Sequence, residues 1–150
     1  ILTENQDSDW VYWMEGEYRG KLNDKDNLLI SLHASMIDVS DGLASEILHI
    51  CNSSGVGCTI YENKIPIDST TVNTCLDFNI APSIAALSGG EDYELLFTIK
   101  QTDYKKLENN PLVTPIGHIV DKATGVNLHS ESGVVTPITA QGWDGLSNKK

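Results

Sequence analysis

The sequence has little positive charge and no long apolar run. Ten lysine and arginine residues stand against 21 acidic residues, which gives a formal net charge of -11. This charge repels nucleic acids and anionic membranes, so we expect neither as a partner. No apolar segment reaches the roughly 20 residues that a helix needs to cross a bilayer. The charge also repels a free phosphate ester, so a phosphate ligand would require metal cations between it and the carboxylates.

Cysteine is scarce as well. The three cysteines, Cys51, Cys58 and Cys75, are odd in number and form no C-x-x-C pair, which argues against a disulfide framework or a zinc site. Each lies in an apolar pattern, as a small core residue does. Because free thiols persist in reducing compartments, we expect a cytoplasmic protein.

Several known motifs are absent. No G-x-G-x-x-G follows a predicted strand, which argues against a dinucleotide-binding fold, and no Walker-type phosphate loop is present. No G-x-S-x-G elbow occurs, and the four histidines lack metal-ligand spacing. Residues 1–30 show no basic start followed by an apolar block, so we expect no signal peptide. Since the first residue is Ile1, we expect either a fragment or a trimmed start.

The length of 150 residues suits one domain with a sizeable core. Period-2 and apolar runs predict strands over 34–37, 56–60, 93–99 and 116–120, and a hairpin over 126–135. Helical periodicity predicts helices over 43–53 and 68–78, and a short one from Pro82 to the glycines at 89–90. Strands and helices mix without strict alternation. We therefore expect an α/β (α+β) fold, a layered sandwich with a mixed sheet covered by helices.

The first candidate site is the loop Asp38-Val39-Ser40-Asp41-Gly42, between a predicted strand and a predicted helix. Asp38 and Asp41 can point into one small space, and hard oxygen ligands on a rigid turn suit Mg²⁺. The free N–H groups at the helix start favour phosphate, and Ser40 adds a hydroxyl for the same ligand. The alternative is structural, because Ser40 or Asp41 before an apolar helix is also a natural N-cap. On spacing alone the cap is the commoner explanation.

The second candidate site is the loop Gly89-Gly90-Glu91-Asp92. The two glycines allow the backbone to bend sharply and to approach a ligand. Glu91 and Asp92 stand at the mouth of an apolar strand, where acids are costly to bury unless they are paired, metal-bound or hydrogen-bonded. The alternative is a glycine turn with solvated acids.

Two further positions have open interpretations. Trp143, in Gly142-Trp143-Asp144, is either a core anchor or a platform on which a ring stacks. Glu46 and His49, three positions apart on the predicted helix, suggest a surface pair.

Together the segments resemble one known family. Residues 35–43 closely resemble the strand–loop–helix signature of the carboxy-terminal domain of thiamine-monophosphate kinase. Residues 87–97, with the run Gly-Gly-Glu-Asp-Tyr-Glu-Leu, resemble its second and most distinctive motif. Residues 116–119 resemble its later Ile-Gly strand, and residues 142–144 its Gly-aromatic-Asp ending. The Asp-x-Ser-Asp-Gly loop is shared more loosely across the aminoimidazole ribonucleotide synthetase-like superfamily, so the resemblance implies that superfamily's carboxy-terminal-domain fold.

The resemblance implies a transferase that moves the γ-phosphoryl group of ATP onto thiamine monophosphate and so makes thiamine diphosphate. The transfer is direct and depends on several Mg²⁺ ions, so no catalytic protein nucleophile is expected. By motif, Asp38 and Asp41 would bind Mg²⁺, and Ser40 would bind the ATP. Glu91 would contact thiamine monophosphate, and Trp143 would stack on it. This chain would supply the carboxy-terminal, substrate-side half.

In the family, an amino-terminal domain supplies further metal-binding acids, much of the nucleotide site and the main dimer interface. We therefore expect this chain to need a missing amino-terminal half or a second subunit, in an enzyme that forms a homodimer. Residues 1–33 do not follow the family pattern and are interpreted as an atypical remnant or linker, with the domain over 34–150. Two other functions stay open: a non-catalytic orphan domain that binds thiamine phosphate or a protein partner, and a superfamily enzyme with another phosphate acceptor.

Overall fold

The computed structural model describes residues 10–14, 35–92 and 94–140. Within these residues the chain forms one seven-stranded sheet with the order β2-β4-β1-β5-β3-β6-β7. The strands are β1 (Trp10–Met14), β2 (Ser35–Val39), β3 (Gly57–Tyr61), β4 (Glu94–Ile99), β5 (Val113–Val120), β6 (Val126–His129) and β7 (Val135–Pro137). β3 and β6 are parallel, and the other described pairs are antiparallel, so the sheet is mixed as predicted.

β1 lies between β4 and β5 and pairs with both of them. It comes from the part of the chain interpreted as a remnant or linker. The segment Trp10–Met14 has three aromatic residues and one β-branched valine, residue types that are common in strands. The domain boundary at residue 34 stays a prediction, but five residues before it share the sheet.

The three α-helices of the described residues confirm the helical periodicity. They are α1 (Leu43–Ser54), α2 (Ser69–Asp77) and α3 (Pro82–Ser88). α1 ends at Gly55, whose φ of 68° is left-handed and favours glycine. The carboxylate of Asp68 caps α2 by accepting a 2.7 Å hydrogen bond from the Thr70 amide. None of these helices has the length and apolarity to cross a bilayer.

The core lies between α1 and the sheet. Its fully buried members include Val39, Leu43, Ile47, Cys51, Cys58, Ile60, Leu96 and Ile116. All three cysteines are buried, as their apolar surroundings predicted. Residues 95–99 of β4 are buried one after another, so this strand is covered on both faces.

Candidate functional site

The two acidic loops predicted from the sequence lie side by side at one edge of the sheet. β2 and β4 are antiparallel neighbours, with Val39 at the end of β2 opposite Glu94 at the start of β4. The loop after β2 and the loop before β4 therefore meet. The Glu91 amide donates a 2.7 Å hydrogen bond to the carbonyl oxygen of Ser40, which joins the two backbones directly.

Glycines allow this close approach. A Cβ atom on Gly42 would lie 2.9 Å from the carbonyl oxygens of Leu87 and Gly89, and Gly42 has a φ of 105°, which L-residues rarely adopt. A Cβ atom on Gly90 would lie 2.7 Å from the carbonyl oxygen of Ser40. We predicted that Gly90 admits a ligand. In the structure it admits the backbone of the first loop.

Glu91 has a left-handed backbone with a φ of 68°, which is uncommon for a residue other than glycine. This conformation costs on the order of 1–3 kcal/mol and persists where surrounding contacts hold it. Its side chain is exposed, and its amide is held by the bond to Ser40. The bond therefore helps to hold the backbone of Glu91 in this conformation.

Neither acid of the first loop caps α1. The N-cap residue is Gly42, and no side chain makes a capping hydrogen bond there. The prediction that Ser40 or Asp41 serves as the N-cap is therefore wrong. The reason is tertiary: Gly42 has a φ of 105° and packs against the carbonyl groups of Leu87 and Gly89, and the helix begins after it, at Leu43. The side chains of Asp38 and Asp41 are both exposed and remain open to a ligand.

Asp38 lies on the sheet face that points away from the helices. Side chains alternate along a strand, and the next residue, Val39, belongs to the core beneath α1. Asp38 therefore shares its face with Leu95, its partner on β4, while Glu94 lies on the helix side. The sequence could not distinguish these two faces.

Glu46, on α1, is a part of the site that the sequence did not reveal. It was expected in a surface pair with His49, but only 3% of it is exposed. Its carboxylate accepts a 3.4 Å hydrogen bond from the Asp41 amide. Burial raises the pKa of Glu46, and the negative charges of Asp41 and Asp38 raise it further, while the Asp41 hydrogen bond and His49 oppose the rise. Both aspartates therefore lie within electrostatic range of this carboxyl.

A cavity of about 470 Å³ opens on the helix side of the second loop. It is lined by Pro66, Ile67, Asp68, Thr71, Ala85, Ala86, Asp92 and Glu94. Partial burial raises the pKa of Asp92. The cavity thus combines three carboxyl groups with apolar walls.

The predicted magnesium ligands fit part of a metal site. Asp38, near the end of β2, and Asp41, in the bend that follows, provide two exposed carboxylates, and such oxygen donors suit Mg²⁺. In the described part of the chain, no group of three or more histidine, cysteine or acidic side chains is placed to hold a metal ion. The remaining ligands would have to be waters, phosphate oxygens or side chains from elsewhere. Trp143 lies outside the described residues.

Comparison with known proteins identifies the relatives, although no protein-family model matches the chain. A thiamine-monophosphate kinase of Buchnera aphidicola subsp. Acyrthosiphon pisum is 38% identical over 114 residues, which cover 76% of this chain and 31% of that protein. One of Pyrococcus horikoshii is 32% identical over 147 residues, which cover 91% of this chain and 45% of that protein. The chain is homologous to the thiamine-monophosphate kinases. It spans less than half the length of these two relatives.

Solved structures of thiamine-monophosphate kinases and of the hydrogenase maturation protein HypE share the fold. AaThiL complexed with AMPPCP and TMP has a TM-score of 0.63 at 24% identity, over 91% of this chain and 50% of that chain. HypE in complex with ATP has a TM-score of 0.65 at 15% identity, over 87% of this chain and 50% of that chain. These likenesses confirm the predicted aminoimidazole ribonucleotide synthetase-like fold.

Proposed function

We propose that this chain is the carboxy-terminal, substrate-side half of a thiamine-monophosphate kinase, a transferase that uses ATP and Mg²⁺ to make thiamine diphosphate. The observation that carries the proposal is the hydrogen bond between the Glu91 amide and the Ser40 carbonyl, which joins the two acidic loops at one sheet edge. Homology to the thiamine-monophosphate kinases supports the choice of reaction. The AMPPCP and TMP bound to AaThiL support the choice of ligands.

The first loop forms the metal and nucleotide side. Asp38 and Asp41 hold Mg²⁺, and Ser40 contacts the ATP. Both carboxylates are exposed and neither caps α1, so both are available to a cation. When bound, Mg²⁺ neutralises phosphate charge and orients phosphate oxygens. A chain with a net charge of -11 needs such neutralisation before it can hold a triphosphate.

The second loop and its cavity form the substrate side. Glu91 contacts thiamine monophosphate, and Trp143 stacks on its rings. Thiamine carries a positively charged thiazolium ring. A cavity that joins the carboxyl groups of Asp92 and Glu94 to apolar walls suits such a cation, since it offers opposite charge and contact area together.

Catalysis in this proposal is positioning and electrostatic stabilisation, without a nucleophile from the protein. The side chains of the two loops bind and orient the reacting groups, and the loop–loop hydrogen bond keeps the two sets of side chains in register. The rest of the nucleotide site would come from a missing amino-terminal half or a second subunit, in a cytoplasmic homodimer.

A coupled assay with ATP, Mg²⁺ and thiamine monophosphate on the full-length protein tests the proposal. We expect Mg²⁺-dependent formation of thiamine diphosphate. The isolated residues 1–150 should fold but not turn over, because the described residues hold no complete metal site. Turnover by residues 1–150 alone would contradict the proposal that the site needs a second half or subunit. A full-length protein without turnover would contradict the proposed kinase function.

One observation favours a second function for the chain taken alone. In the described residues, no third metal-ligating side chain clusters with Asp38 and Asp41. This incomplete set fits a non-catalytic orphan domain that binds thiamine phosphate or a protein partner. Calorimetry separates the two functions: the orphan domain binds thiamine monophosphate without turnover in the full-length protein. Turnover with another phosphate acceptor, but not with thiamine monophosphate, would instead indicate another enzyme of the superfamily.

A further inference from the structure

Glu46 is a buried acid at a position where the fold alone would favour an apolar residue. It lies among the buried residues of α1, beside Leu43 and Ile47, and is 3% exposed. Burying a carboxyl group costs free energy unless hydrogen bonds compensate, and acids are almost never fully buried without a partner. The hydrogen-bond partner of this carboxylate therefore indicates what the residue does.

The contacts of Glu46 lead back to the first loop. Its side-chain oxygen accepts a hydrogen bond from the Asp41 amide, at 3.4 Å. Its own amide donates a 3.3 Å hydrogen bond to the carbonyl oxygen of Gly42. No side chain caps the first amides of α1. The bond from the Asp41 amide to Glu46 is therefore the side-chain contact that connects the loop to the first turn of the helix.

The peptide group between Ser40 and Asp41 is the decisive element. Its carbonyl oxygen accepts the bond from the Glu91 amide, and its N–H donates to Glu46. A trans peptide group is planar and rigid, with its C=O and N–H pointing in opposite directions. An acceptor that fixes the N–H therefore also fixes the carbonyl that binds the second loop.

We propose that Glu46 is a positioning residue that locks the Ser40–Asp41 peptide plane and thereby holds both acidic loops in their working geometry. This inference rests on the proposed kinase function for its catalytic consequence, but not for its structural one. Glu46 itself contacts neither metal nor substrate; it acts through the Asp41 amide and, across the peptide, through the Glu91 amide.

Three substitutions in the full-length protein test this role. Glu46→Gln keeps an acceptor oxygen at the same reach, so we expect kcat within about threefold of wild type. Glu46→Leu has nearly the same size but no acceptor, and Glu46→Asp withdraws the acceptor by one methylene. For both we expect a loss of kcat of at least about tenfold, with a smaller change in KM for thiamine monophosphate.

Two readouts do not depend on turnover. Hydrogen exchange measured by mass spectrometry should show faster exchange at the Asp41 and Glu91 amides in Glu46→Leu and Glu46→Asp, and near wild-type exchange in Glu46→Gln. Binding of Mn²⁺ without nucleotide, followed by electron paramagnetic resonance, should weaken several-fold in the same two variants.

The outcomes separate the inference from the proposed function. The positioning role would be overturned if Glu46→Asp or Glu46→Leu showed wild-type exchange at the Asp41 and Glu91 amides and wild-type kcat per folded molecule. The proposed kinase function would be unaffected by that result. A lower melting temperature without any change in kcat or Mn²⁺ affinity would show a merely structural role and overturn the positioning role equally. If the wild-type protein makes no thiamine diphosphate, the proposed kinase function is wrong. The hydrogen-exchange data then decide by themselves whether Glu46 holds the Ser40–Asp41 peptide group. If Glu46→Leu does not fold, Glu46→Asp carries the test.

Discussion

The Glu91 amide lies 2.7 Å from the carbonyl oxygen of Ser40, and this hydrogen bond connects two loops that are distant in sequence. It explains two local features at once. Glu91 keeps a left-handed φ of 68° because the bond holds its amide, and position 90 favours glycine because a Cβ atom there would lie 2.7 Å from the same oxygen. The two candidate loops are therefore joined through their backbones.

Asp38→Asn and Asp41→Asn should each abolish most turnover in the full-length enzyme. Each change removes the charge of a proposed magnesium ligand and keeps the size, so we expect a drop in kcat of about 100-fold or more, comparable to the loss of one key electrostatic group. The melting temperature should hardly change, since substitutions of exposed residues that make no cap usually alter stability by under ~1 kcal/mol.

Asp103→Asn is the matched control for these variants. Asp103 is an acid beyond the far end of β4, and it pairs with Lys106 at 2.6 Å. Its loss should leave turnover unchanged. If Asp38→Asn and Asp41→Asn lower the melting temperature and keep turnover, the two acids are structural and the metal role is wrong.

Alanine at Gly42 or Gly90 should separate the two loops. Gly42→Ala combines a conformation nearly restricted to glycine with a 2.9 Å clash, so we expect a loss of stability of about 1–3 kcal/mol and a large loss of turnover. Gly90→Ala should break the bond to Ser40 and reduce turnover with a smaller loss of stability. Thermal unfolding and initial rates measure the two effects.

Gly55→Ala provides the comparison. Gly55 has a φ of 68°, but nothing lies within 4 Å of a Cβ atom there, so alanine should cost only about 1 kcal/mol. Its turnover per folded molecule should equal that of wild type. Equal losses of turnover in Gly42→Ala and Gly55→Ala would show that stability, rather than the loop contact, controls activity.

His118 should make stability depend on pH. Burial lowers the pKa of His118 below its usual value of 6.5, and the positive charges of His129 and Lys64 lower it further. Its ring lies beside Tyr61, with ring centroids 5.8 Å apart. In the window from 6.5 down to the folded pKa, the unfolded chain binds the proton more readily than the folded chain. Stability is therefore complete above this window and decreases as the pH falls through it.

The test compares wild type with His118→Gln. Between about pH 7.5 and about pH 5, the melting temperature of wild type should fall more than that of the variant. An NMR titration should place the midpoint of His118 below 6.5, and His129→Gln should move it upward. A midpoint above 6.5 would contradict the desolvation of this imidazole.

Trp143→Ala should weaken binding of thiamine monophosphate several-fold in the full-length enzyme and leave ATP binding near normal. An indole face attracts the cationic thiazolium by about 0.5–2 kcal/mol when the contact is partly desolvated. Trp143→Phe should recover much of the loss, and the melting temperature should barely move. A core anchor would behave differently, with a loss of stability of about 3–5 kcal/mol for the alanine variant and unchanged substrate affinity.

The sequence by itself predicted the features that depend on local patterns. Helical periodicity over 43–53 predicted α1, which the structure has at Leu43–Ser54. Glycine and acidic residues between apolar segments located both loops. These predictions succeeded because periodicity and backbone conformational preferences act over a few residues and are visible in any short window.

Only the tertiary structure decided what those local segments contact. β1 pairs with β4 and β5, and no local pattern can show such a pairing between distant segments. Gly42, rather than Ser40 or Asp41, became the N-cap because the carbonyl groups of Leu87 and Gly89 pack against it. Glu46 became buried because the first turn of α1 faces the loop and the sheet. The reason is common to all three: long-range packing determines which face is buried and which hydrogen-bonding groups meet, and it can override the local preference of a residue.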